Sequence, residues 1–334
     1  MRCALRGINL GGWLVVERWI TTDVFDGVTG PAEIDIVREL GYDVARKRLD
    51  RHRATFITEK DFAWLSREGF DFVRLPVGYW LFEQTDDFID GEIYIQKVFR
   101  WAEKHAMKII LDFHGLQGSQ NGKDHSGQVR KVALYKGDNR GAALRTLEYM
   151  ARTYGHEPAL LGLGVINEPQ LPLCASQLIR YYDRAYRVVR PYLNDEVKII
   201  VSDAFAPLKV AQKLARRSYG KHIVLDVHLY QLFSRQDQKM SFEKHIMTAE
   251  ERWRDLIDEV QRYVPVLVGE WSAALDPSTY EDGQGSEAER VSDYYLAQKR
   301  TFDDSVWAHA YWTYKAPKRG TWDWRASHRI LENK

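Results

Sequence analysis

Two glutamates stand where apolar runs stop. Glu168 ends "LLGLGVINEP", and Glu270 sits in "VLVGEWSAALD". A buried run has no use for a terminal charge, because burying an unpaired charge is costly. Two facing carboxylates whose proton affinities are pushed apart can, however, split a glycosidic bond. One protonates the leaving oxygen. The other attacks the anomeric carbon, or activates a water that does. A gap of about 5–5.5 Å suits direct attack and retained configuration, and about 6.5–9.5 Å suits the water route and inversion. The residue types leave both routes open.

For this chemistry the two glutamates must be brought face to face. Eight short apolar runs recur along the chain: "ALRGINL", "FDFVRLPV", "KIILDFHG", "LLGLGVINEP", "VKIIVSDAF", "HIVLDVHLY", "VPVLVGEWS" and "WAHAYWTYK". Runs without polar alternation read as parallel strands buried on both faces. Segments of helical period lie between them. "ITEKDFAWLSREG" opens with the Thr58/Asp61 capping-box pattern and stops at Gly69. "EIYIQKVFRWAEKHAM" is expected to place Ile93, Val98, Trp101 and Ala102 on one inner face. This order predicts an α/β fold, a (β/α)8 TIM barrel. It is expected to form one domain over residues 1–334, with a helical insertion at about 26–53 after the first strand.

In such a barrel the active site lies at the carboxyl ends of the strands. The runs stop on Asn9, Arg74, His114, Asn167 with Glu168, Asp203, His228 with Tyr230, Glu270 and Trp312. Strands four and seven stand on opposite sides of the mouth, so Glu168 and Glu270 can face each other. Arg74 suits holding one glutamate ionised. Asn167 suits a sugar hydroxyl beside the reacting carbon, His228 and Tyr230 suit donation to carboxylate or substrate, and Trp312 suits stacking under a sugar ring. A plain polar layer closing the barrel explains one such strand end more easily than eight.

Other chemistries fit less well. "DFHG" and "DVHLY" each hold Asp-x-His, which makes Asp112, His114, Asp203, Asp226 and His228 candidate metal ligands. The chain lacks a His-x-His pair on the first strand and a His-Glu-x-x-His helix, which favours hydrogen-bonding histidines and no metal. "GLGVIN" lacks the third glycine of a dinucleotide fingerprint, and no Gly-x-Ser-x-Gly elbow occurs. A non-catalytic sugar-binding barrel would keep the aromatic floor without needing both glutamates.

Composition narrows the partners. The chain has 334 residues, 45% hydrophobic and 28% charged, with a net charge of +1. Near-neutrality gives no electrostatic case for nucleic acid or an acidic membrane surface. No apolar run is long enough to span a bilayer. The start, "MRCALRGINLGGW", has no apolar leader, and no Asn-x-Ser/Thr acceptor occurs. These features predict a cytoplasmic chain, or an exported one whose leader lies outside this sequence. Two cysteines, Cys3 and Cys174, cannot make a disulfide framework. Packing accounts for most of the eleven Trp and eighteen Tyr, while Trp near loop ends offer platforms for sugar rings. A monomer is expected.

The motifs "DFVRLPVGYW", "LDFHGLQGSQNGKDHSG", "INEP", "SDAF", "HLYQLF" and "VGEWSAAL", in this order, resemble glycoside hydrolase family 5. They are similar above all to its exo-β-1,3-glucanase branch, from Arg6 to about Trp324. The resemblance implies a (β/α)8 barrel, no metal or other cofactor, and retaining hydrolysis of β-glucosidic bonds. It implies Glu270 as nucleophile and Glu168 as acid/base. Arg74, His114, Asn167, His228, Tyr230 and Trp312 match the inner subsite, Glu17 a carboxylate that binds the terminal glucose, and Phe233 an entrance aromatic. It also implies a cis Trp312–Thr313 peptide. Related alternatives are a β-1,6-glucanase and a β-glucosidase acting on other β-glucosides. The chain departs from the fungal pattern in its short "DPSTYEDGQGSEAERV". It departs again at "VALYKGDN", where Leu134 or Tyr135 is expected to replace a second clamping phenylalanine. Both departures bear on the outer subsites rather than on the chemistry.

Overall fold

Alternation along the strands decides what reaches the site. The structure, a computed structural model, describes residues 4–170, 175–280 and 285–332. Cys3, Cys174 and residues 281–284 of the short segment above lie outside the described residues. The strands are β1 (Leu5–Asn9), β2 (Phe72–Gly78), β3 (Lys108–Gly115), β4 (Leu160–Gly164), β5 (Lys198–Ser202), β6 (Ile223–Leu229), β7 (Val266–Trp271) and β8 (Ala308–Tyr311). They are all parallel and close into a barrel in chain order, β8 pairing back on β1.

On β3, Ile109, Leu111 and Phe113 pack outward into the main core beneath the helices. Ile110 joins Phe72, Ile200, Val224 and Leu267 in a separate apolar cluster. With the two-residue period of a strand, Asp112 and His114 stack above Ile110 on the same inner face. The same rule places Arg74 above Phe72, and Asp226 and His228 above Val224. The barrel interior therefore has an apolar floor, a charged middle layer of Arg74, Asp112 and Asp226, and the site at the top.

Glycines make room for that charged layer. A Cβ at Gly269 would lie 2.0 Å from Asp226 Oδ1, and one at Gly164 would lie 2.7 Å from Asp112 Oδ1. The β6–β7 register shifts between Val227 and His228, so that Val227 faces Val268 while His228 faces Glu270. Gly269 is the residue passed over. Such an irregularity re-aims the side chains beyond it, here His228 and Glu270.

Two helices, α1 (Glu33–Leu40) and α2 (Tyr42–Thr55), fill the connection between β1 and β2. They carry a small core of their own, including Val16, Phe25, Ile36 and Leu49. Fully buried Arg53 and Glu33 pair at 2.8 Å. Glu33 also accepts from Trp80 Nε1 and from the backbone N of Val16, the residue before Glu17. Next come α3 (Glu59–Arg67), where the expected capping box forms between Thr58 and Asp61, and α4 (Glu92–Lys104). The expected inner face of α4 needs correction. Ile93 is 57% exposed, and the buried face is Tyr94, Ile95, Val98, Phe99 and Ala102. The face is rotated by about one residue because Tyr94 and Phe99, not Ile93, fill the groove, Phe99 stacking on Tyr154. The outer ring continues with α5 (Asn139–Tyr154), α6 (Ala175–Val189), α7 (Pro207–Leu214), α8 (Phe242–Met247), α9 (Trp253–Gln261), α10 (Glu287–Ser305) and α11 (Trp324–Leu331). Among the described residues no helix is long and apolar enough to cross a membrane.

Candidate active site

The strand ends deliver a cavity of about 580 Å³ lined by Glu168 and Glu270, within the usual range for a small-molecule site. At their closest, oxygens of Glu168 and Glu270 and a ring nitrogen of His228 lie within 4.8 Å of one another.

Glu270 is gripped from behind. Arg74 Nη1 donates to Glu270 Oε1 at 3.0 Å, and the Tyr230 hydroxyl donates to Oε2 at 2.9 Å. The same guanidinium donates to Asn9 Oδ1 and Asn167 Oδ1, both at 2.9 Å, and pairs with Asp112 and Asp226 at 3.1 and 3.4 Å. Arg74 is fully buried, and these surrounding carboxylates raise its pKa further despite the cost of burial. Burial and repulsion from Glu168 push Glu270 up, against the pull of His228 and Arg74.

Glu168 is gripped from the side. Its Oε1 lies 2.8 Å from His228 Nδ1, while its Oε2 is 3.4 Å from His125 Nε2 and 3.5 Å from Lys123 Nζ. Burial opposes its charge, but the His228 bond and the charges around it outweigh this and hold Glu168 below the ordinary carboxylate range. Burial works against a charge on His228, but Glu270, Asp226 and Glu168 overcome it and raise this imidazole well above its usual value. His228 Nδ1 is placed so that it can hold one proton between the two carboxylates, 2.8 Å from Glu168 and 3.5 Å from Glu270.

The turn that presents Glu168 is itself constrained. Its φ is +41°, the left-handed region that costs a non-glycine residue roughly 1–2 kcal/mol. The loop after β3 holds this turn in place. Gln120 Nε2 donates to the Asn167 carbonyl at 2.9 Å, and Asn121 Nδ2 to the Glu168 carbonyl at 3.2 Å. His114 accepts this loop's Gln120 on its carbonyl, bonds Asp112 Oδ2 through Nδ1 at 2.7 Å, and meets the Asn167 amide through Nε2 at 3.2 Å. Its ring stacks on Trp312 at 5.9 Å, and the Trp312–Thr313 peptide is cis. Glu17 lines the same cavity, bonded by Trp19 Nε1 at 2.9 Å. Burial and the nearby carboxylates raise it well above the ordinary range.

Residues 40–315 match the family described as Cellulase (glycosyl hydrolase family 5). The chain belongs to glycosyl hydrolase family 5. Among its relatives, the probable glucan 1,3-beta-glucosidase A of Aspergillus niger is 33% identical over 305 residues, covering 88% of this chain and 71% of the relative. Glucan 1,3-beta-glucosidase 2 of Wickerhamomyces anomalus is 32% identical, covering 89% and 73%. The fold is similar to a rutinosidase from Aspergillus niger, with a TM-score of 0.78 at 21% identity over 94% of this chain and 90% of that one. It is also similar to Thermotoga maritima Cel5A complexed with cellobiose, with a TM-score of 0.62 at 14% identity over 98% and 96%. As a family 5 member it is a glycoside hydrolase, and its substrate is a glycan.

The residues singled out from the sequence divide into two shells in this family 5 barrel. Glu17, His114, Asn167, Glu168, Tyr230, Phe233, Glu270 and Trp312 line the cavity. Arg74 and His228 stand behind the carboxylates, and Asn9 anchors Arg74 and the Gly269 carbonyl. Asp203 is buried, raised to about 7 mainly by that burial, and accepts from the backbone N of Phe205 at 3.0 Å. The expectation for "VALYKGDN" is overturned. Leu134 is fully buried in the core and Tyr135 packs against it, so neither reaches the cavity. Their segment is tied under the β3 loop, the Ala133 backbone N bonding the Gly118 carbonyl. Phe205, Lys123, His125, Trp19 and Trp322 line the cavity and were missed. Lys123 and His125 lie within "GSQNGKDHSG", a glycine-rich loop directly after a strand end, which was signal enough to single them out.

Proposed function

We propose that this chain, acting as one catalytic unit, is a retaining, exo-acting β-glucosidase directed at β-1,3-glucan or its oligosaccharides. The observation that carries the mechanism is the approach of the Glu168 and Glu270 oxygens to within 4.8 Å. That spacing favours the retaining arrangement over the wider inverting one. The names of the relatives support the substrate and the exo mode, and a cavity of about 580 Å³ fits a short stretch of chain rather than a long one.

In this reading Glu270 attacks the anomeric carbon as the glycosidic bond breaks, and the leaving oxygen takes a proton from Glu168. Water then loses a proton to Glu168 and displaces Glu270 from the same carbon. Transfer of the His228 proton across the 2.8 Å contact arms Glu168 without changing the net charge of the site. Arg74 and Tyr230 then hold Glu270 ionised. Asn167 and His114 address sugar hydroxyls, neutral Glu17 donates to the terminal glucose, Trp312 carries the ring, and Phe233 meets the next residue. Glu168, His228 and Glu270 also stand close enough to hold a cation, and both carboxylates are already engaged by His228, Arg74 and Tyr230.

The test is a product profile on laminarin, pustulan, cellulose and mixed-linkage glucan. Glucose released first and fastest from laminarin is expected. Faster release from pustulan would move the assignment to β-1,6 linkages, and internal cleavage would overturn the exo mode. The exposed aromatic rings at the mouth favour a second reading, a β-glucosidase that accepts non-sugar leaving groups.

A further inference from the structure

We propose that the leaving-group side of the cavity recognises a flat aglycone bearing an anionic group, with Lys123 reading the charge. The inference rests on Glu168 being the residue that protonates the leaving oxygen, because whatever is bonded to that oxygen then lies among the neighbours of Glu168.

Those neighbours are distinctive. Lys123 Nζ lies 3.5 Å from Glu168 Oε2 and 5.7 Å from the centre of the Phe205 ring. The Lys123 side chain is 56% exposed, Phe205 is 59% exposed and Phe233 is 70% exposed. Phe233 is backed edge-on by Tyr230 at 5.3 Å, and Tyr230 bonds Glu270. Large aromatic rings left in water at a cavity mouth are contact surfaces for a flat partner.

Phe205 is also displayed by construction. It and Ala204 are successive non-glycine residues in the left-handed region, with φ of +57° and +49°. The turn is held by Asp203 Oδ1 on the Phe205 N and by Ser202 Oγ on the Ala204 N. Such a sparsely populated backbone persists where its surroundings enforce it, and it does so preferentially at functional positions.

Charge then selects among flat partners. Among the described residues, Glu168 is the carboxylate that pairs with Lys123. When the reaction starts Glu168 carries a proton and its charge is gone, so the ammonium faces the leaving group beside the Phe205 ring. Deeper in the cavity an anion would meet Glu270, and Asp124, whose charge already bears on Glu17, lines the same cavity. The negative group therefore belongs on the part of the aglycone farthest from the sugar, at the rim where Lys123 stands.

The test compares 4-carboxyphenyl and 4-carbamoylphenyl β-D-glucosides, an anion and its neutral counterpart, in the wild-type chain and in Lys123→Met and Lys123→Arg variants. The ratio of kcat/KM, carboxylate over amide, is expected to fall about threefold or more in Lys123→Met, the size of a partly exposed ion pair. It should persist in Lys123→Arg and shrink with added salt in the wild type. An unchanged ratio in Lys123→Met overturns the proposal. So does a chain that cleaves laminari-oligosaccharides but neither aryl glucoside. Both results leave the glucosidase reading standing. Failure to cleave either aryl glucoside or any laminari-oligosaccharide overturns both.

Discussion

The imidazole Nδ1 of His228 lies 2.8 Å from Glu168 Oε1, which puts a proton donor in direct contact with the proposed acid/base. The same nitrogen is 3.5 Å from Glu270 Oε2. One ring therefore mediates between the two carboxylates, and the activity should record its titration. Glu270 must be ionised to attack, and burial raises its pKa. Activity should thus fall as pH drops through a value above the ordinary carboxylate range. The shared proton must be present, and His228 is raised well above its ordinary value. Activity should fall again only as pH rises through that raised value. In His228→Gln the alkaline limb of kcat/KM should move down, because Glu168 alone then holds the proton. The rate should drop about 100-fold, the scale of general acid–base catalysis. An alkaline limb that stays in place would remove His228 from the proton path.

Arg74 ties Glu270, Asn167, Asn9, Asp112 and Asp226 together through one planar fork. A lysine offers one point charge and cannot reproduce it. Arg74→Lys should lower kcat/KM by about 100-fold, as losing one preorganised donor does. Arg74→Ala should cost about 3–5 kcal/mol of stability, because it strands buried carboxylates. Steady-state kinetics and thermal unfolding check the two effects separately.

Gly269 leaves the space that Asp226 occupies, 2.0 Å from where a Cβ would stand. Gly269→Ala must displace either the aspartate or the strand carrying Glu270. The expected cost is about 1–3 kcal/mol, typical of overpacking, together with a kcat loss much larger than that of Gly137→Ala. An added Cβ at Gly137 meets nothing within 4 Å, although its φ of +53° carries its own modest penalty. Denaturant unfolding and kinetics on both variants check this. Equal kcat losses would contradict it.

Burial and the nearby carboxylates raise Glu17 well above the ordinary carboxylate range, so its expected work is hydrogen bonding rather than charge. Glu17→Gln keeps a neutral hydrogen-bonding group and should change KM by less than about tenfold, whereas Glu17→Leu strips the site of a polar partner and should cost about 10- to 100-fold in kcat/KM. Equal losses in the two variants would show that the carboxyl acts by its charge.

The fold was legible because parallel strands must be apolar on both faces, which made eight runs stand out with their polar ends. Glu168 and Glu270 were legible for the same reason, as charges where apolar runs stop. The supports were harder to see. Asp112 and Asp226 looked like metal-ligand candidates within Asp-x-His, and their role as counterions of Arg74 depends on Gly164 and Gly269 from neighbouring strands. Periodicity gives a helix face only to within a residue, which is why Ile93 was placed inward in Tyr94's stead. The rim was the least legible part. Phe205 reaches it through two left-handed residues, and Lys123 through a glycine-rich loop, and neither path follows a period.

Double displacement by Glu168 and Glu270 is the mechanism proposed for this site. Its most direct test is proton NMR of the first glucose released from a β-linked substrate, recorded before mutarotation. The close approach of the carboxylates, within 4.8 Å, predicts that β-glucose appears first. If α-glucose appears first, the reaction inverts, and Glu270 is not the nucleophile.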